Sequence, residues 1–123
     1  MSPKILVVDD DEAVRKSFTL ALEDAGYHLD TAETGEIGIE KQKENGYDLI
    51  FLDMKMPGLN GAQTLREIRK IDPSVAVYIV TAFSKEFFKD LEGVKNDGIV
   101  FELIRKPIGS DEIVQITKAV LTS

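Results

Sequence analysis

A chain of 123 residues is long enough for one domain, and a hydrophobic content of 43% allows a buried core. The formal net charge of −7, with 15 scattered basic residues, argues against a nucleic-acid-binding surface, which needs clustered Lys and Arg. No apolar run approaches the ~20 residues of a membrane span, and none near the N-terminus is long enough for a signal peptide. The absence of cysteine excludes disulfides and thiolate catalysis, and it fits a cytoplasmic location.

Five short apolar runs predict β-strands, at residues 4–8, 27–32, 48–53, 75–80 and 99–104. Most of them are continuous rather than alternating, which is typical of strands that are buried on both faces of a parallel sheet. The run at 27–32 alternates between apolar and polar residues. We therefore expect the second strand to lie at an edge of the sheet.

Helical segments separate and follow the strands. The spacing of apolar residues predicts helices over 13–25, 35–45 and about 110–121, and two further helices that begin at Gly61 and at the N-cap Ser84. Strands joined by crossover helices must be parallel, and the crossovers should be right-handed. The sequence therefore predicts an α/β fold with a single doubly wound, five-stranded parallel sheet and five helices.

Polar residues stand at the carboxyl ends of four of these strands. Asp9 and Asp10 follow the first strand, Asp53 ends the third, Thr81 follows the fourth and Lys106 follows the fifth. Because the carboxyl ends of parallel strands lie at one edge of the sheet, these side chains should meet in one crevice, where open α/β sheets bind ligands.

Each of these residues also has an ordinary interpretation. An acidic run such as 9–12 is more often a solvated helix start, because acids favour helix N-termini. Taken alone, Asp53 could cap a loop, Thr81 could end a strand and Lys106 could be a surface lysine. Their common position at strand ends favours a shared site.

Three neighbouring carboxylates repel one another unless a cation lies between them. A hard divalent ion, Mg²⁺ or Mn²⁺, would bind Asp10 and Asp53 through oxygen. The free oxygen of Asp53 then becomes a candidate nucleophile toward phosphorus, since aspartyl phosphate is a known type of covalent intermediate. Lys106 and the Thr81 hydroxyl could neutralise the phosphoryl oxygens.

The motifs at the strand ends form an ordered set, at residues 7–10 (VVDD), 52–58 (LDMKMPG), 60–61 (NG), 81–82 (TA) and 106–107 (KP). Together they span essentially the whole chain, and they resemble the receiver domain of two-component response regulators. The resemblance implies the CheY-like, flavodoxin-like fold with strand order 2-1-3-4-5.

The resemblance also implies a regulatory phosphoacceptor rather than an enzyme with a separate substrate. Asp53 would accept a phosphoryl group from a phosphohistidine of a sensor histidine kinase or a histidine phosphotransfer protein. Thr81 and Lys106 would sense that group and change the face formed by the fourth helix, fifth strand and fifth helix. We expect one receiver domain over residues 1–123, without an output domain and without direct contact to nucleic acid or membrane.

The resemblance further implies how the metal is held. Asp10, Asp53 and the backbone carbonyl of Lys55 would bind Mg²⁺, with Asp9 acting directly or through water. In this family the peptide bond before the proline that corresponds to Pro107 is usually cis. The cis form has a low free-energy cost at X-Pro bonds.

The sequence departs from the family pattern in three places. The stretch between Thr81 and Lys106 is a few residues longer than usual. Leu103 stands where the family usually has an aromatic residue that rotates inward on activation. The second helix carries Gly38 and Gln42 where small and large apolar residues are usual. Accepting phosphate should tolerate all three departures, but the Thr/aromatic switch is put in question.

Two other functions remain open from the sequence. Leu103 and the longer segment before it suggest a receiver-like binding module that works without phosphorylation. An Asp nucleophile also suggests a hydrolase similar to haloacid-dehalogenase-like phosphatases, although Lys55 replaces the second acid of their Asp-x-Asp motif. His28, the only histidine, is interpreted as structural, so the chain is not the kinase partner. Phe83, close after Thr81, is a candidate shield for an acyl phosphate on Asp53.

Overall fold

The computed structural model describes residues 3–82 and 85–122. Five parallel strands form one sheet in the order β2-β1-β3-β4-β5. They are β1 (Ile5–Val8), β2 (Leu29–Ala32), β3 (Leu49–Asp53), β4 (Ala76–Thr81) and β5 (Glu102–Arg105). The predicted doubly wound sheet, its strand order and the edge position of the second strand are confirmed.

Five α-helices alternate with the strands, α1 (Glu12–Asp24), α2 (Gly35–Asn45), α3 (Gly61–Ile71), α4 (Phe88–Asn96) and α5 (Ser110–Leu121). A 3₁₀ helix, Lys85–Phe87, precedes α4. The first helix begins one residue earlier than predicted because Asp11 is its N-cap, and the Asp11 side chain accepts from the backbone N–H of Ala13. The predicted cap Ser84 and shield Phe83 lie outside the described residues. None of the described helices has the length and apolar character of a membrane span.

Strands β2 and β5 are shorter at their starts than the runs at 27–32 and 99–104 predicted. The backbone N–H groups of Tyr27 and Ile99 donate to carbonyls of the preceding helices, at 2.8 and 3.2 Å. These residues therefore close α1 and α4 instead of pairing in the sheet, although they continue the apolar pattern of the strands. At its other end β5 includes Arg105, which pairs with Thr81 of β4.

Hydrophobic residues cover both faces of the sheet, and β1 and β3 are buried along their whole length. Helices α1 and α5 cover one face, where Phe18, Leu22 and Ile113 pack against the strands. Helices α2, α3 and α4 cover the other face, where Leu65 and Val94 are fully buried. Burial on both faces explains why the strand sequences are continuously apolar.

Gln42 of α2 is only 3% exposed, and its amide is hydrogen-bonded at both ends. Its Oε1 accepts from the backbone N–H of Tyr47 (2.9 Å), and its Nε2 donates to Asp72 Oδ2 (3.3 Å). The Tyr47 hydroxyl in turn donates to Asp30 Oδ2 at 2.7 Å. Burial, followed by this bond, raises the pKa of Tyr47 above its ordinary value. A polar network therefore occupies a position where a large apolar side chain was expected.

Replacing Gln42 by Met should destabilise the protein by about 1 to 2 kcal/mol, because the buried N–H of Tyr47 would lose its acceptor. Urea unfolding followed by circular dichroism measures the change. The matched control is Lys43→Met on the exposed side of α2, which should stay within about 0.5 kcal/mol of the wild type. Equal midpoints for the two variants would contradict a stabilising role for the network.

Candidate functional site

A crevice of about 720 Å³ opens at the carboxyl edge of the sheet. All of the side chains that the sequence placed at strand ends line it, together with Lys55. The residues are Asp9, Asp10, Asp53, Lys55, Thr81 and Lys106.

The strand register brings these residues together. Val8 of β1 lies beside Leu52 of β3, so Asp9 follows one strand next to the point where Asp53 ends the other. Asp53 itself pairs with Val80, and the backbone N–H of Lys106 donates to the Thr81 carbonyl at 2.7 Å. Residues far apart in sequence thus share one edge because the four strands end at the same level.

Lys106 joins two acids of the crevice. Its Nζ lies 3.2 Å from Asp9 Oδ2 and 3.0 Å from Asp53 Oδ1. Both acidic residues are buried, with exposed fractions of 3% for Asp9 and 6% for Asp53, and the Lys106 side chain is 24% exposed. The peptide bond between Lys106 and Pro107 is cis, as the family pattern suggested.

The crevice carries more negative than positive charge around Asp53. Burial, and then the neighbouring charge of Asp9, raises the pKa of Asp53 to about 6, although the Lys106 hydrogen bond opposes the shift. Burial lowers the pKa of Lys106, but its contacts with Asp53 and Asp9 outweigh that effect and raise it. Asp10 adds a weaker repulsion that further raises the pKa of Asp53. One lysine therefore does not balance the acids.

The cluster formed by Asp9, Asp10 and Asp53 fits a hard divalent cation. One carboxylate oxygen from each of Asp9, Asp10 and Asp53 lies within 4.8 Å of the others. Asp10 is exposed to solvent, whereas the other two acids are buried. Oxygen donors in this number, with uncompensated negative charge, are the ligands that Mg²⁺ prefers in proteins.

The segment before Lys106 is fixed by contacts that the sequence did not reveal. Arg69 of α3 donates to the carbonyl of Val100 at 2.8 Å, and the ammonium of Lys95 lies 5.9 Å from the centre of the Phe101 ring. Leu103 is 48% exposed and lines a second cavity of about 430 Å³ with Phe101. The position usually held by an aromatic switch residue therefore faces α4 as a half-exposed leucine.

Sequence reasoning also missed Arg15, which lies close to the acidic residues. Its Nη1 donates to the backbone carbonyl of Asp9 at 2.8 Å. No motif marks this residue, because a basic side chain in the first turns of a helix is ordinary. Only the distance between a side chain and a strand end identifies the contact.

Comparison with known proteins agrees with this geometry. A family model described as "Response regulator receiver domain" matches residues 5–118. The transcriptional regulatory protein ResD of Bacillus subtilis is 38% identical over 120 residues, which are 96% of this chain and 48% of that protein. The response regulator ArlR of Staphylococcus saprophyticus is 34% identical over 120 residues, which are 96% of this chain and 52% of that protein. The chain thus spans about half the length of these relatives.

A solved structure gives the same result for the fold. The CheY-like response regulator receiver domain protein from Methanospirillum hungatei JF-1 superimposes with a TM-score of 0.86 at 27% identity. The superposition covers 97% of this chain and 93% of that one. The similarity therefore extends over the whole sheet and its helices.

Proposed function

Since the chain belongs to the response regulator receiver domain family, we propose that it is a signalling switch in which Asp53 accepts a phosphoryl group. The donor is a phosphohistidine of a sensor histidine kinase or a histidine phosphotransfer protein. The observation that carries this proposal is the pairing of Asp53 Oδ1 with Lys106 Nζ at 3.0 Å inside a crevice that also holds Asp9, Asp10 and Thr81.

The chemistry at Asp53 is a direct displacement. An oxygen of the ionised carboxylate attacks phosphorus, the new O–P bond forms, and the bond to the imidazole nitrogen breaks. The imidazole leaves with the electron pair and takes up a proton. Burial raises the pKa of Asp53 to about 6. That value still lies below neutral pH, so the nucleophile is mostly ionised there.

Lys106 and Thr81 receive the phosphoryl group. The Lys106 ammonium already touches Asp53, so it can donate to a phosphoryl oxygen with little movement. The hydroxyl of Thr81, at the end of the neighbouring strand, lines the same crevice. Charge placed close to positioned donors is the main stabilisation that phosphoryl transfer needs.

Asp10, Asp53 and the backbone carbonyl of Lys55 would hold Mg²⁺, with Asp9 acting directly or through water. When bound, the ion neutralises the carboxylates and the incoming phosphoryl oxygens. Asp9 already uses Oδ1 for the backbone N–H of Asp11 and Oδ2 for Lys106, which favours an indirect role for Asp9.

The output of the switch is a change of the face formed by α4, β5 and α5, in a cytoplasmic protein that catalyses only its own phosphorylation and dephosphorylation. A module independent of phosphorylation is not favoured, because the acids, hydroxyl and lysine of the phosphoacceptor pattern share one crevice. The half-exposed Leu103 supports a difference from usual receivers in the output step rather than in the chemistry.

Incubation with Mg²⁺ and acetyl phosphate should add one phosphoryl group, visible in the intact mass. The group should be absent from Asp53→Asn and when EDTA replaces Mg²⁺. The matched control is Asp24→Asn, which removes an exposed acid of α1 and should leave the adduct unchanged. An unmodified wild-type mass would exclude the phosphoacceptor function, and turnover of a generic phosphate ester would favour a hydrolase instead.

The switch itself needs a separate measurement. Beryllofluoride with Mg²⁺ mimics the phosphoryl group, and amide NMR shifts should change in α4 and β5 as well as beside Asp53. An adduct without shifts in α4 and β5 would leave the acceptor chemistry intact and reject the proposed output face.

A further inference from the structure

Asp9 is bonded at every one of its polar atoms. Its N–H donates to the Ala32 carbonyl (3.0 Å), Oδ1 accepts from the Asp11 N–H (2.9 Å) and Oδ2 contacts Lys106 (3.2 Å). The remaining atom, the backbone carbonyl, accepts from Arg15 Nη1 at 2.8 Å. Asp9 is therefore fixed in position, and Arg15 supplies the bond to its carbonyl.

Residue 15 contacts both ends of the short acidic segment 9–11, and the contact at Asp9 is the one that depends on the arginine side chain. Its guanidinium binds the carbonyl of Asp9 where β1 ends, and its backbone N–H donates to the carbonyl of Asp11 at 3.1 Å. The exposed Asp10 lies between these two anchored residues. A fixed backbone on either side limits the directions in which the Asp10 carboxylate can point.

We propose that Arg15 is a positioning residue that holds the backbone of the acidic segment in the conformation in which Asp10 and Asp53 bind a divalent cation together. The inference rests on the proposed function. Substitution of residues that orient metal ligands without touching the metal typically weakens metal binding by about 10- to 100-fold.

Charge and position predict opposite effects for Arg15. A cation near the site repels Mg²⁺, so if only its charge mattered, its removal would tighten metal binding. If Arg15 positions the segment, its removal should weaken binding despite the lost repulsion. The sign of the change therefore distinguishes the two roles.

The test uses Arg15→Met, which keeps an unbranched side chain of similar length but removes the donors and the charge. Isothermal titration of the metal-free protein with Mg²⁺ should show binding weakened about tenfold. Arg15→Lys should fall between the wild type and Met, because a shorter ammonium provides a single point of charge instead of a rigid fork. The amide NMR shifts of Asp10 and Asp11 in metal-free Arg15→Met should also move.

The matched control is Lys16→Met, which removes the same charge from the exposed neighbouring residue. Lys16 pairs with the exposed Glu12 at 3.2 Å. It should leave Mg²⁺ affinity unchanged or slightly tighter. Binding by Arg15→Met that equals or exceeds that of the wild type would overturn the positioning role, even if acetyl phosphate still modifies Asp53. Failure of the wild type itself to bind Mg²⁺ would overturn the proposed function together with this inference.

Discussion

Asp53→Asn should make the metal-free protein more stable at neutral pH, by about 2 kcal/mol after allowance for solvent screening. Burial and the charge of Asp9 make the ionised carboxylate of Asp53 unfavourable in the folded state, and they raise its pKa from 3.8 to about 6. An asparagine of the same shape removes that charge and leaves Lys106 paired with Asp9.

The pH dependence gives the sign of the effect. Below about pH 4, Asp53 is protonated in both the folded and the unfolded chain, so the shift in its pKa does not affect the free energy of unfolding. Between about pH 4 and pH 6 the folded chain retains a proton that the unfolded chain has lost, and stability falls as pH rises. Above about pH 6, Asp53 is ionised in both states, and the loss of stability is complete. The advantage of Asp53→Asn should therefore be present at neutral pH and disappear in acid.

Urea unfolding in EDTA, followed by circular dichroism at several pH values, measures this difference. Adding Mg²⁺ should stabilise the wild type and narrow or reverse the difference, because a ligand that binds only the folded state stabilises it. Asp24→Asn on the surface of α1 controls for the loss of one acid, and it should change stability by no more than about 0.5 kcal/mol. A less stable Asp53→Asn at neutral pH, without metal, would contradict the electrostatic account of the crevice.

The sheet could be predicted because its sequence signals are local. Continuous apolar runs identify buried parallel strands, and the bounds of α2 and α5 agree with the predicted 35–45 and 110–121. The starts of β2 and β5 could not be predicted, because Tyr27 and Ile99 look like strand residues but donate to helix carbonyls. The hydrophobic pattern does not indicate whether a backbone N–H donates to a helix carbonyl or to a neighbouring strand.

The acids, the hydroxyl and the lysine at the strand ends could be predicted from topology, because parallel strands in register must place their ends together. The contacts between these side chains could not be predicted. Lys106 contacts Asp9 and Asp53 at once, and Arg15 reaches the Asp9 carbonyl, through side-chain conformations that no motif specifies. The same holds for Gln42, whose buried amide is explained only by partners on separate elements.

Gly61→Ala adds one methyl group and should strongly destabilise the protein, lowering the free energy of unfolding by about 2 to 3 kcal/mol. Helix α3 begins at Gly61, directly against the end of β3. A Cβ at this position would lie 2.7 Å from the backbone carbonyl oxygen of Asp53 and 2.8 Å from the Cα of Met54. Because these are backbone atoms, the clash can be relieved only if α3 or the strand end moves. Asp53 should then accept phosphate more slowly as well.

Gly93→Ala in α4 is the matched control. Among the described residues, its added Cβ would meet only Arg66 Nη2, at an ordinary contact distance of 3.5 Å. Alanine is more favourable than glycine in a helix interior, so this variant should be more stable than the wild type by about 0.5 to 1 kcal/mol. Thermal unfolding and the rate of acetyl phosphate labelling measure both variants. If Gly61→Ala also gained stability and labelled at the wild-type rate, close contact between α3 and the end of β3 would not be what requires glycine there.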